Sequence, residues 1–248
     1  MSGAFAGQTV VVTGGTRGLG RAVSAGFLEE GARVWATYRE DERSAQGFAA
    51  ECERFPGALE LARFDVRDYS AVEAFWARLE DAEPGGAQVL VHGSGIRRDA
   101  ALALLSSEDW SAVIDTNLTG TFHMCRFAVR HMLARRYGRI VLISSPAAHH
   151  GFEGQAAYSA SKAGQIGLMR SLAREVARKE ITVNCVSPGF VDTELLADLT
   201  EEQRKRHLAS VPLRRFGRPA EIAYAVRALA AREASYITGA NLEVAGGL

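Results

Sequence analysis

The stretch "QTVVVTGGTRGLG", residues 8–20, decides the fold. A β-branched run stops at Gly14 and Gly15, and an amphipathic stretch follows from Leu19 to about residue 30. Branched side chains suit a pleated strand and apolar residues at helical spacing suit a helix, so the order is strand, glycine turn, helix. A helix N-terminus presents free N–H groups and the positive end of a dipole, and glycines without Cβ atoms let a pyrophosphate approach the backbone. Gly14, Thr16, Arg17, Gly18, Leu19 and Gly20 are therefore expected to hold a dinucleotide rather than to form only a structural turn.

The same alternation continues along the chain. Further strands are expected in "ARVWATYR", "LELARFD" ending at Asp65, "AQVLVHGSG" ending at Gly93, "GRIVLISS" from about Gly138, "ITVNCVSPG" and "ANLEVAGG". Between them lie helical patterns, including "YSAVEAFWARLEDA" with Val72, Phe75, Trp76 and Leu79 on one face. One long helix is expected through "EDWSAVIDTNLTGTFHMCRFAVRHMLARR", a second over about 157–179, and another in "PAEIAYAVRALA". Strands this apolar, separated by helices, imply an α/β fold with a doubly wound parallel sheet covered on both faces. Ligands should then collect outside the carboxyl ends of the strands.

Composition narrows the function. The 248 residues carry 29 Lys plus Arg against 29 Asp plus Glu, so no net field draws nucleic acid or anionic membrane. Six scattered prolines and no linker-like tract favour one domain over 1–248. The three cysteines, Cys52, Cys125 and Cys185, have neither disulfide nor metal-cluster spacing. With no leader-like segment and no apolar run of about 18 residues, a soluble cytoplasmic protein without a metal is expected.

The second strand ends "ATYRED". An acidic residue at that point would accept from an adenosine ribose; Arg39, with Arg17 in the glycine turn, suits a 2′-phosphate, so NADP(H) is favoured over NAD(H). Glu40 and Asp41 either start the next helix or reach the ribose. Further on, "AAYSASKAG" sets Tyr158 and Lys162 one helical turn apart, on the same face.

"TGGTRGLG", "FDVRD", "NLTGTF", "SSPAAHHGFEGQAAYSASKAG", "VNCVSPGFVDTE" and "PLRRFGRPAEIA…ASYITGANLEVAGG" resemble, in order and over almost the whole chain, the motifs of the short-chain dehydrogenase/reductase family, and within it most the 3-oxoacyl-[acyl-carrier-protein] reductases. The resemblance implies a Rossmann fold and a catalytic tetrad of Asn117, Ser145, Tyr158 and Lys162. Tyr158 would give a proton to a ketone, Lys162 would lower the phenol pKa and hold the nicotinamide ribose, Ser145 would donate to the developing oxyanion, and Asn117 would hold a water. It also implies adenine contacts at Asp65 and Val66, carboxamide contacts at Val191 and Thr193, a cofactor contact at Gly95, and a lid over about 192–213. Arg136 and Lys179 match basic residues that dock an acyl carrier protein, and relatives of this kind form homotetramers.

The implied activity is NADPH-dependent reduction of a 3-oxoacyl thioester, carried on acyl carrier protein, in fatty acid or polyketide assembly. The alternatives are a dehydrogenase of a free alcohol, sugar or steroid, and a nucleotide-binding scaffold without turnover. The chain departs from the family pattern at His92-Gly93-Ser94-Gly95, at Pro146 with His149 and His150, and at Ala245. His92 is expected to be a hydrogen-bonding core residue, and the histidine pair to be pocket wall or rim.

Overall fold

The computed structural model describes residues 3–194 and 200–248. Seven parallel strands form one sheet in the order β3-β2-β1-β4-β5-β6-β7. They are β1 (Thr9–Thr13), β2 (Arg33–Tyr38), β3 (Leu59–Arg63), β4 (Val89–His92), β5 (Gly138–Ile143), β6 (Ile181–Pro188) and β7 (Asn241–Val244). Successive side chains leave a strand on opposite faces. Val11, Trp35 and Leu90 accordingly enter one core while Val10, Val12, Val34, Val89 and Val91 enter the other. Both faces are covered, which is why the strands read as continuous apolar runs rather than alternating ones.

The first core is closed by α3 (Tyr69–Ala82), α5 (Gly120–Arg135) and α7 (Ala156–Val176), through Phe75, Trp76, Met124, Met132 and Met169. The second is closed by α1 (Gly18–Glu29), α2 (Glu42–Glu51) and α9 (Pro219–Ala230), through Phe27, Phe48, Ile222 and Val226. Each such fully buried side chain contributes about 1.5–3 kcal/mol. Asp41 is the cap of α2: its carboxylate accepts from Ser44 N at 3.0 Å, which settles the alternative left open by the sequence in favour of a helix start.

The helix expected to run unbroken from Glu108 to Arg136 is interrupted. The short α4 (Ser107–Ile114) passes into a π-helical turn, Asp115–Thr119, before α5 begins. Such a turn inserts one residue into the helical repeat and re-aims the groups around it. Here those groups belong to Asn117. The second long helix ends in a 3₁₀ turn at Ala177–Lys179, as its pattern suggests. A four-residue helix, α6 (Ala147–His150), leads into it. Within the expected lid, α8 (Glu201–Ser210) opens with a Thr200–Gln203 capping box and lays His207 4.3 Å from the Phe190 ring. Residues 195–199 of that lid lie outside the described residues.

Candidate active site

Strand order reverses between β1 and β4, so their carboxyl ends part and leave a crevice. Thr13 stands at that point, paired in register with Thr37 on one side and His92 on the other. Its hydroxyl oxygen accepts from Gly93 N and Ser94 N, both at 3.1 Å. With both lone pairs used, its hydrogen must go to His92 Nδ1, 2.9 Å away, and the imidazole carries its proton on Nε2. His92 therefore knits two strands together as a core residue, with Nε2 unpartnered among the described residues.

Burial first, and the nearby charge of Lys162 second, push the His92 pKa down to about 3. Because that lies below the ordinary value of 6.5, the unfolded chain takes up a proton over this window while the folded chain does not. Stability is thus full above about pH 6.5 and falls by up to about 1.4 kcal/mol per unit as the pH drops toward 3. His92→Asn should flatten this acid limb in calorimetric melting curves taken from neutral to acid pH; parallel curves for the two proteins would contradict the assignment.

A cleft of about 570 Å³ fills the crevice. Eleven of the residues expected at the cofactor border it: Gly14, Thr16, Arg17, Gly18, Leu19, Gly20, Arg39, Asp65, Val66, Gly95 and Thr193. Tyr158, Lys162 and Val191 do not. Val191 is buried and bridges to Gly217, and its carbonyl accepts from Thr193 Oγ1 at 3.5 Å. Thr37, Tyr38, Phe64, Ile96 and Thr116 also border the cleft although no motif singled them out. Thr37, Tyr38 and Phe64 stand at or just beyond the carboxyl ends of β2 and β3, the signal that could have found them.

The cradle fits a dinucleotide pyrophosphate. Gly14 and Gly18 have φ of +64° and +51°, conformations side chains disfavour, and a Cβ on Gly20 would stand 2.0 Å from the Gly14 carbonyl oxygen. The α1 N-terminus has no side-chain cap and no acidic residue in its first turn, so its free N–H groups face the cleft unopposed. On the adenosine side, Arg17 pairs with Asp41 at 3.6 Å, and Arg39 with Glu40 at 2.9 Å and Asp65 at 3.8 Å. Burial would raise the Asp65 carboxyl, but hydrogen bonds and charge from Arg67, with Arg39, outweigh it and hold the group below the usual carboxylate range.

The side chains expected to be catalytic meet where β5 ends and α7 begins. Ser145 follows β5, and its hydroxyl oxygen accepts from Ala147 N at 3.2 Å. Tyr158 is partly covered, and burial is the main influence on its phenol, pushing the pKa up; a hydrogen bond with Ser145 and the charge of Arg97 pull it back without cancelling the rise. Lys162 Nζ lies 5.6 Å from the centre of the Tyr158 ring but donates to the Ile143 carbonyl at 2.8 Å and to Gln165 Oε1 at 3.1 Å. Burial pushes that ammonium down to about 8. The expectation that Lys162 depresses the phenol is corrected here: proximity on one face did not fix where the ammonium spends its hydrogen bonds, and desolvation decides the phenol instead.

Asn117 sits in the π-helical turn. Its Oδ1 accepts from Ile96 N at 2.8 Å, and its Nδ2 donates to the Ile96 carbonyl at 2.9 Å and to Ser161 Oγ at 3.0 Å. The side chain thus pins the segment after β4 against α7. Its backbone carbonyl accepts from Thr121 Oγ1 at 2.5 Å and Gln165 Nε2 at 2.9 Å.

Three outlying expectations can be placed. His149 Nε2 lies 3.0 Å from Asn241 Nδ2 and faces β7 rather than the cleft, and His150 is exposed beside it. Among the described residues no three His, Cys, Asp or Glu side chains converge as metal ligands, and no helix is long and apolar enough to cross a membrane. Arg136 and Lys179 are exposed, each two residues before one of the neighbouring strands β5 and β6, which pair in register at Gly138 and Ile181. They stand before β5 and β6, at the amino edge of the sheet, opposite the cleft.

A family model described as enoyl-(acyl carrier protein) reductase matches residues 13–248. The chain belongs to the short-chain dehydrogenase/reductase family. Among curated members it is 41% identical to the 3-oxoacyl-[acyl-carrier-protein] reductase of Vibrio cholerae, covering 98% of this chain and 97% of that one. The corresponding reductase of Escherichia coli is 41% identical, with 98% of each chain covered, and that of Chlamydia muridarum 39% identical, with 100% of each covered. A solved structure assigned as a gluconate dehydrogenase of Agrobacterium tumefaciens superposes with a TM-score of 0.93 at 32% identity, covering 98% of this short-chain dehydrogenase/reductase and 96% of that chain.

Proposed function

We propose that this enzyme reduces 3-oxoacyl thioesters, presented on acyl carrier protein, to the 3-hydroxyacyl form with NADPH. The observation that carries the reading is the convergence of a desolvated phenol, its serine partner and a buried ammonium beside a glycine-lined cleft, in a chain about 40% identical to curated 3-oxoacyl reductases from end to end. A nicotinamide cofactor held in the cleft would supply the hydride for the carbonyl carbon. Tyr158 supplies the proton: a phenol pushed above its ordinary pKa stays protonated at neutral pH and is poised to give its hydrogen to a ketone oxygen rather than to take one from an alcohol. Ser145 Oγ donates to the same oxygen as negative charge develops. Lys162 keeps a positive charge beneath them, its position set by the Ile143 carbonyl.

Arg17 and Arg39 favour the 2′-phosphate, which would take over their ion pairing from Asp41, Glu40 and Asp65. Arg39→Ala should therefore raise the Kd for NADPH about 10-fold, some 1.4 kcal/mol, and leave NADH within about 2-fold. Equal weakening of both in a fluorescence titration would remove the 2′-phosphate assignment.

The enzyme works as a cytoplasmic homotetramer in fatty acid or polyketide assembly. Arg136 and Lys179, at the edge away from their own cleft, serve a carrier that delivers its thioester to a neighbouring subunit. The experiment is NADPH oxidation with one 3-oxoacyl group on carrier protein and on a short soluble thioester, beside the matching 2-enoyl thioester and gluconate-type hydroxy acids with NADP. Preference for the carrier-bound ketone is expected. Equal rates on both ketones would keep the chemistry and withdraw the carrier; turnover of the enoyl or hydroxy acid substrate alone would overturn the proposal.

A further inference from the structure

We propose that Gln165 is a positioning residue for catalysis, holding the Lys162 ammonium against the π-helical turn that carries Asn117. Gln165 lies three residues past Lys162 on α7 and is fully buried in the otherwise apolar stripe of Ile166 and Met169. Burying an amide is costly unless every polar atom finds a partner, and here every one does. Oε1 accepts from Lys162 Nζ at 3.1 Å; Nε2 donates to the Asn117 carbonyl at 2.9 Å and to Thr121 Oγ1 at 2.7 Å.

The orientation of the amide is forced by chemistry. An ammonium can only donate and a carbonyl can only accept, so the oxygen must face Lys162 and the nitrogen must face Asn117. Thr121, which donates to the same Asn117 carbonyl at 2.5 Å, completes a closed network of Lys162, Gln165, Asn117 and Thr121. Two of the three ammonium hydrogens are thereby assigned, to Ile143 and to Gln165. The network also explains the π-helical turn, which places the Asn117 carbonyl where side chains of α5 and α7 can reach it.

Gln165 does more than fill space because it is a neutral acceptor next to a desolvated charge. The other groups around that charge help it little. Cys185 faces it from β6, with Cys125 behind it, and burial keeps both thiols neutral by pushing them up to about 12. His92 from β4 is neutral. Tyr158 on its own helix is protonated, and the nearby Arg97 and Asp99 act on that phenol, as Arg170 acts on Cys185. Removing the Gln165 oxygen should therefore make the ammonium easier to deprotonate, and replacing the amide by a carboxylate should make it harder.

This inference rests on the reductase reading, and its test separates the two. The pH dependence of kcat/KM is measured with a 3-oxoacyl thioester for the wild type, Gln165→Leu and Gln165→Glu. Wild-type activity should fall as Lys162 loses its proton near pH 8. In Gln165→Leu this alkaline limb should move down by about one unit, with kcat at neutral pH lowered about 10-fold; in Gln165→Glu it should move up, with kcat at neutral pH also lowered because a carboxylate oxygen cannot donate to the Asn117 carbonyl as Nε2 does. A packing role alone cannot move the limb in opposite directions, and coincident limbs in all three proteins would overturn the proposal.

Calorimetric stability from neutral pH to pH 10 reads the same proton without substrate. The folded pKa of Lys162, about 8, lies below its ordinary 10.5, so unfolding takes up a proton between these values and stability gains with rising pH. The onset of that gain should come earlier in Gln165→Leu and later in Gln165→Glu. If Gln165→Leu does not fold, the upward shift in Gln165→Glu is decisive by itself. Opposite shifts in melting, with no turnover of any ketone, would sink the reductase reading and leave the role of Gln165 standing.

Discussion

Tyr158→Phe should lower the rate of ketone reduction about 1,000-fold or more while leaving NADPH affinity within about 2-fold of wild type. The substitution removes one oxygen and keeps the ring, so the packing at the start of α7 is retained. Lys162 keeps its bonds to Ile143 and Gln165, neither of which involves the phenol. Ser145 keeps its contact with Ala147 N but loses its phenolic partner, and its hydroxyl is a poor proton donor at neutral pH. Single-turnover NADPH oxidation and a fluorescence titration on the same sample separate chemistry from binding. Activity within about 10-fold of wild type would mean that the proton comes from elsewhere, and the hydroxyl of Ser145 would become the first candidate.

The two proteins should share the alkaline limb of their pH profiles. Burial pushes the Tyr158 phenol up from its ordinary value, so the proposed proton donor stays in place through the neutral range, and a fall of activity on the alkaline side would belong to Lys162. That division of labour was hidden in the sequence. The spacing of Tyr158 and Lys162 shows that they share a helix face, and nothing in the spacing says that the Ile143 carbonyl and Gln165 intercept the ammonium. Hydrogen-bond partners contributed by a strand end and by the next turn of the helix are tertiary facts.

Other parts were legible because they depend on local chemistry. The β1–glycine–α1 unit, the parallel sheet and the crevice at its carboxyl ends follow from strand runs, glycine placement and chain order. The break at Asp115–Thr119 was not legible, because apolar periodicity continues on both sides of it and a π-helical turn has no composition of its own. Gln165 left a trace: a long polar side chain among Ile166, Leu168 and Met169 contradicts an apolar stripe, and such a contradiction marks a buried network. Arg136 and Lys179 could have been placed correctly from order alone, since residues just before a parallel strand lie at its amino end, away from the cleft.

Gly20→Ala should abolish measurable NADPH binding, raising Kd by about 100-fold or more, equivalent to about 2.7 kcal/mol. The added methyl would sit 2.0 Å from the Gly14 carbonyl oxygen and 3.1 Å from Gly15 Cα, and both neighbours are backbone, which cannot swing aside as a side chain can. The turn must open. Opening it shifts the backbone of Gly14, which borders the cleft together with Ser94, and tilts the first N–H groups of α1 off the phosphate position. Most of the β1–α1 packing through Val10, Val23 and Phe27 lies deeper in the core, so the fold should survive with a lowered Tm. Gly18→Ala is the informative contrast, because a methyl there meets nothing within 4 Å and meets only the strain of a φ of +51°, about 1–2 kcal/mol. If the two variants bind NADPH equally well, the tight contact between Gly14 and Gly20 is not what shapes the phosphate cradle, and anion binding must rest on the arginines alone.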